Sequence, residues 1–126
     1  MSSHSVVTDT APLPIGPYSQ AVACGDLLFV SGQIPLDATT GMVVGESIEA
    51  QARQAINNLS AILESQGLTT KALVKTTVFL KNMGHFAAFN TVYERLLGGA
   101  RPARSVVAVA GLPKNVLIEI EAIACR

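Results

Sequence analysis

The chain has 126 residues, 49% of them apolar and 14% charged, with nine Lys and Arg balanced by nine Asp and Glu. Its basic residues are scattered, and it contains no Trp, four Phe and two Tyr, so it offers neither the field nor the stacking platforms that nucleic-acid binding uses. The length suits one domain spanning 1-126, and so high an apolar share in a small chain points to subunit interfaces.

Cys24 and Cys125 are far apart, without CxxC or metal-ligand spacing, and read as buried thiols of a reducing compartment. His4 and His85 are isolated, and His4 falls in an N-terminal arm expected to be mobile. No zinc or iron site assembles from this inventory. Residues 1–7 lack the basic and apolar regions of a signal peptide, and no apolar run approaches the ~18 residues of a membrane span. The expectation is a soluble cytoplasmic protein with no metal and no membrane contact.

In chain order, Pro12, Pro14 and Pro17 keep the first segment out of helix. Ala21 to Cys24 and Leu27 to Ser31 flank Gly25-Asp26 and predict a hairpin. From Ser47 to Gln66 the period changes. Ile48, Ala52, Ala55, Ile56, Leu59, Ile62 and Leu63 recur at three- and four-residue spacing, predicting an amphipathic helix capped by Ser47 and stopped by Gly67. Val74 to Lys81 alternates as a strand, with Val74, Thr76, Val78 and Leu80 on the inner face. A second helix is predicted from Met83 to Leu97, capped by Asn82, ended by Gly98-Gly99 and lined inside by Phe86, Phe89, Val92, Tyr93 and Leu96. Closing strands are expected over Ser105 to Ala110 and Val116 to Cys125. The order βββ-α-β-α-ββ implies an α+β mixed sheet with two helices on one face. Two helices leave the other face bare, and another subunit is expected to cover it.

Three features carry candidate chemistry. Alternation puts Glu119 and Glu121 on one strand face, about 6.6 Å apart along it, with Ile118 and Ile120 opposite. Such a pair is ordinarily a solvated face, yet Leu117, Ile123 and Cys125 share it. A carboxylate in a half-apolar site has its pKa raised and can act as general acid or base. Arg104, in Arg101-Pro102-Ala103-Arg104-Ser105-Val106, enters an apolar strand where a guanidinium needs an anion or several acceptors. A structural ion pair and a fork for a substrate carboxylate both meet that need. The third is Ile15-Gly16-Pro17-Tyr18-Ser19-Gln20 with Val30-Ser31-Gly32-Gln33-Ile34-Pro35, where a Gly directly after a strand marks close approach. Nucleophile elbow, phosphate loop and HExxH are missing.

Together, Pro14-Ile15-Gly16-Pro17-Tyr18-Ser19-Gln20, Ser31-Gly32-Gln33-Ile34-Pro35, Phe89-Asn90-Thr91-Val92-Tyr93, Pro102-Ala103-Arg104-Ser105 and Ile118-Glu119-Ile120-Glu121 resemble the RidA or YjgF family, also labelled L-PSP endoribonuclease. The resemblance runs from Ala11 to Arg126. It implies a chorismate-mutase-like fold assembled as a homotrimer with ligand sites between subunits. It also implies 2-iminobutanoate/2-iminopropanoate deaminase activity, without a cofactor, on small 2-imino acids released by pyridoxal-phosphate (PLP) enzymes such as threonine dehydratase. By the same resemblance Arg104 pairs with the substrate carboxylate and Glu119, rather than Glu121, holds the attacking water. Tyr18, Ser31, Gly32 and Asn90 match positions lining the pocket. Close relatives carry a cysteine where this chain has Val106, so only the backbone of Val106 is left to meet the imine nitrogen. The loop before Pro102 is shorter than theirs and carries Arg101 where they have an aromatic residue. Two other classes remain open beside the enzyme: RNA cleavage or binding, which the older label suggests, and a non-catalytic ligand-sensing or protein-holding trimer.

Overall fold

The computed structural model describes residues 2–126. Six strands form one sheet: β1 Ser3–Val6, β2 Ala21–Cys24, β3 Leu27–Gln33, β4 Leu73–Leu80, β5 Ala103–Ala108 and β6 Ile118–Cys125, in spatial order β1-β2-β3-β6-β4-β5. All neighbours are antiparallel except β4 and β5. A parallel pair needs a crossover, and the helix α2, Phe86–Leu97, supplies it; α1, Ile48–Ser65, links β3 to β4. The sheet is thus mixed, as the element order implies.

Local signals set the helix ends. Ser47 accepts a hydrogen bond from the Ala50 backbone N–H at 3.1 Å, and Gly67 follows α1 in the left-handed region at φ 72°. Asn82 caps a short 3-10 turn, Met83–His85, rather than α2 itself; its Oδ1 accepts from Gly84 N–H at 2.8 Å. The second helix therefore begins three residues later than its periodicity suggests.

Both helices pack on one sheet face. Ile56, Leu59 and Leu63 of α1 and Phe89, Val92 and Tyr93 of α2 share a core with Leu28, Val30, Val78, Leu80, Ile118 and Ile120. The opposite face leaves Leu27, Phe29 and Val107 exposed. Phe86 is also exposed, so the inner stripe of α2 starts at Phe89.

Two departures have backbone causes. Leu73 is buried and Val74 exposed, because the β4–β6 register shifts between Leu73 and Lys75; a bulge reverses the facing that plain alternation predicts. The N-terminal arm is not loose. Ser3 to Val6 pair with β2, placing His4 opposite Ala23. Among the described residues, no helix is long and apolar enough to cross a membrane.

Candidate active site

Glu119 and Glu121 lie on the open face of β6, while Ile118 and Ile120 are fully buried beneath the helices. Across β4 their partners are Phe79 and Thr77. On the other side, β3 and β6 lose register between Val30 and Gln33: Val30 pairs with Ala122 but Gln33 with Ile120. Three steps on β3 thus match two on β6, and the extra residue falls in Ser31-Gly32. Such bulges re-aim side chains beside functional sites. Here the bulge brings backbone against the Glu119 carboxylate. A Cβ on Gly32 would overlap Glu119 Oε2 and lie 2.8 Å from its Cδ.

The loop before β2 closes this pocket. Gln20 is buried; its Oε1 accepts from Thr8 N–H at 2.8 Å, and its Nε2 lies 2.8–3.2 Å from the carbonyls of Thr8, Ala11 and Pro12. That tie holds the proline segment down. Ser31 Oγ donates to the Ser19 carbonyl at 2.6 Å, and the Tyr18 hydroxyl accepts from Ile15 N–H at 3.3 Å. Tyr18, Ser31, Gly32, Pro113, Glu119 and Glu121 are part of the lining of a cavity of about 370 Å³. Burial, and then the neighbouring charge of Glu121, push the Glu119 carboxyl above its ordinary pKa. A carboxylate tuned upward in a half-apolar pocket is suited to take and return a proton.

Arg104 is elsewhere. In β5 it pairs with Thr76, which is buried on the helix-covered face. Its Nη1 donates to Asn90 Oδ1 at 2.7 Å, a neutral amide. The guanidinium carbon sits 4.9 Å from the Tyr93 ring centroid, 5.7 Å from that of Phe86 and 5.8 Å from that of Phe89. These rings offer cation–π contact, and Tyr93 is fixed by a buried 2.7 Å hydrogen bond with Thr76 Oγ1. Arg104, Asn90, Tyr93, Glu94 and Arg101 face a second cavity of about 480 Å³. Its guanidinium groups are donors suited to charge-assisted hydrogen bonds with an anion.

Within one chain, then, the sequence-predicted residues divide into two groups. Tyr18, Ser31, Gly32 and Glu119 share the open-face pocket; Arg104 and Asn90 share the other. Val106 lines neither cavity and packs against the core. Gln20 was visible in the sequence only as a motif member; its role as the tie of the loop depends on backbone carbonyls that no spacing reveals. Among the described residues, no group of three His, Cys, Asp or Glu is placed to hold a metal ion.

The mixed sheet with two helices on one side and its two polar pockets define an α+β protein of the L-PSP type. The family described as Endoribonuclease L-PSP matches residues 8–126, and the chain belongs to this family, also called RidA or YjgF. It is 50% identical over 127 residues to the 2-iminobutanoate/2-iminopropanoate deaminase of Salmonella typhimurium, covering 98% of each chain. Others at similar identity carry only the name RutC family protein. The structure of the YjgF gene product of Escherichia coli superimposes with a TM-score of 0.93 at 48% identity, covering 98% of both chains. That of E. coli TdcF with bound serine gives 0.93 at 41% identity, again over 98% of both.

Proposed function

We propose that the protein hydrolyses small 2-imino acids such as 2-iminobutanoate and 2-iminopropanoate, as a homotrimer whose clefts join the Arg104 pocket of one subunit to the Glu119 pocket of the next. The observation that carries this reading is the division of the site. A guanidinium bonded only to a neutral amide and a carboxyl with raised pKa occupy opposite sheet faces of one chain. Each is half of a site for a small imino carboxylate. The exposed Leu27, Phe29 and Val107 supply an apolar face for assembly. The deaminase name of the Salmonella relative and the amino acid bound by TdcF are in keeping with it.

In this reading Arg104 fixes the substrate carboxylate by two parallel hydrogen bonds. Glu119 accepts a proton from water as the oxygen bonds to the imine carbon. The imine nitrogen takes up a proton in this addition, and the carbinolamine then collapses. The proton held by Glu119 passes to nitrogen, the hydroxyl proton is released as C=O forms and the C–N bond breaks, and the products are a 2-oxo acid and ammonia. Imines of this kind are already labile, so positioning and desolvation supply most of the acceleration. No cofactor takes part. PLP enzymes such as threonine dehydratase would supply the substrate.

The packing of Val106 into the core favours a second reading, a trimer that binds the ligand without turnover, because no side chain there meets the imine nitrogen. RNA cleavage finds less support in a chain of balanced charge with two histidines. One coupled assay decides. Threonine dehydratase generates 2-iminobutanoate, semicarbazide traps it, and the protein should speed formation of 2-oxobutanoate. Ligand binding with no acceleration would select the non-catalytic reading.

A further inference from the structure

The Arg104 cavity holds more charge than a simple 2-imino acid needs. Two arginines, Arg101 and Arg104, and one acid, Glu94, line it. Arg104 is held in place by its Asn90 bond, which uses Nη1, and by its aromatic cage, and its remaining donors are the proposed anchor of one carboxylate. Arg101 is exposed, and among the described residues its guanidinium has no hydrogen-bond or ion-pair partner. Its start point is nonetheless restricted, because the following Pro102 disfavours the helical region for the Arg101 backbone. The cavity, at about 480 Å³, falls in the range that accepts ligands much larger than a four-carbon acid.

We infer that Arg101 is a specificity residue that receives a second carboxylate, so that the preferred substrates are 2-imino dicarboxylates of four or five carbons. The inference rests on the proposed role of Arg104 as anchor of the first carboxylate. A neutral side chain on the ligand leaves Arg101 unmatched, a cationic one meets its repulsion, and an anionic one gains a charge-assisted bond. The class of reaction that supplies such imines is two-electron oxidation of an acidic amino acid by a separate flavin- or nicotinamide-dependent oxidoreductase, whose cofactor takes the Cα hydride while the nitrogen loses a proton and C=N forms. Hydrolysis then adds water across C=N and releases ammonia, leaving a 2-oxo diacid.

The test is calorimetric, on the intact protein, with stable 2-oxo acids as probes. 2-Oxoglutarate should bind about tenfold tighter than 2-oxobutanoate, the scale of one partly screened ion pair. Raising the salt concentration should shrink that ratio. Arg101→Ala should bring the ratio near one, and Arg101→Lys should keep part of it. If 2-oxobutanoate binds but 2-oxoglutarate binds no tighter, Arg101 is not a carboxylate receiver. Tighter binding of a guanidino-substituted 2-oxo acid would also overturn the inference, since Glu94 would then govern the cavity. Failure of every 2-oxo acid to bind would remove the Arg104 anchor itself, and this proposal with it.

Discussion

Gly32 and Glu119 occupy space that only a residue without a side chain can share: a Cβ at Gly32 would overlap the Glu119 carboxylate. Gly32 does not have positive φ, so alanine brings no backbone strain, and its one close conflict is with the end of a flexible side chain. Gly32→Ala should therefore leave the fold intact, with a stability change under about 1 kcal/mol, while turning the carboxylate away from its place. Displacement of a catalytic group by about 1 Å costs on the order of a hundredfold in rate. Thermal melting and the coupled imine assay check both halves. Full turnover by the Gly32→Ala protein would mean that Glu119 does not act from this position.

The raised pKa of Glu119 gives a signed prediction for stability. Burial and the Glu121 charge favour its protonated form in the folded protein. The folded state thus binds the proton more tightly than the unfolded one. The associated stability is fully present below the unfolded value of 4.5 and is lost as pH rises through the raised folded value. Glu119→Gln, permanently neutral, should raise the melting temperature at pH 7 and make little difference near pH 4. Glu121→Gln removes a like charge, so the acid limb of the pH–rate profile should move to lower pH. Melts and kcat/KM across that range decide, and an unmoved acid limb would show that another group sets it.

Much of this architecture is legible in the sequence where one period dominates. Ser47 and the three- and four-residue stripe of α1 describe that helix, and alternation in β6 separates Glu119 and Glu121 from Ile118 and Ile120. Bulges escape such reading. The shift at Leu73/Lys75 turns Val74 outward, and the one at Ser31-Gly32 builds the pocket floor. The four-residue β1 has no apolar alternation and is ordered by pairing with β2 and by the burial of Val6 in the core. The division of the site is also hidden, because it depends on register. Strand β4 acts as the ruler: Arg104 pairs with its Thr76 and Glu119 with its Phe79. Those two partners are three residues apart and so face opposite sides.

Arg104 is the residue whose loss should be most informative. Truncating one partner of a desolvated charge pair costs roughly 2–5 kcal/mol. Arg104→Ala should weaken 2-oxobutanoate binding by tens of fold or more and nearly abolish deamination. Arg104→Lys, which keeps charge but not the planar fork, should recover only part. Because Arg104 is bonded to Asn90 and stacked among aromatic rings, its structural contribution needs a separate reading by melting and light scattering. A folded Arg104→Ala assembly that binds 2-oxobutanoate with unchanged affinity would remove the anion-anchor role.

The proposed sharing of each cleft between two chains leads to a complementation experiment. In a cyclic trimer the contacts are heterologous, so every cleft takes one half from each neighbour. Arg104→Ala trimers lack the anchor in all clefts, and Glu119→Gln trimers lack the base in all of them. Denaturing the two together and refolding them should mix the chains at random. A cleft then has both groups intact when a Glu119→Gln chain contributes Arg104 and an Arg104→Ala chain contributes Glu119, which happens in about one cleft in four for an equal mixture. Activity should thus rise from near zero in each parent to about a quarter of the native value per cleft. Light scattering should show trimers for parents and mixture alike, whereas Phe29→Glu, which puts charge on the exposed apolar face, should give inactive monomers. An enzyme whose Arg104 and Glu119 acted within one chain would show no recovery on mixing, and a monomeric, fully active wild-type protein would exclude the shared cleft altogether.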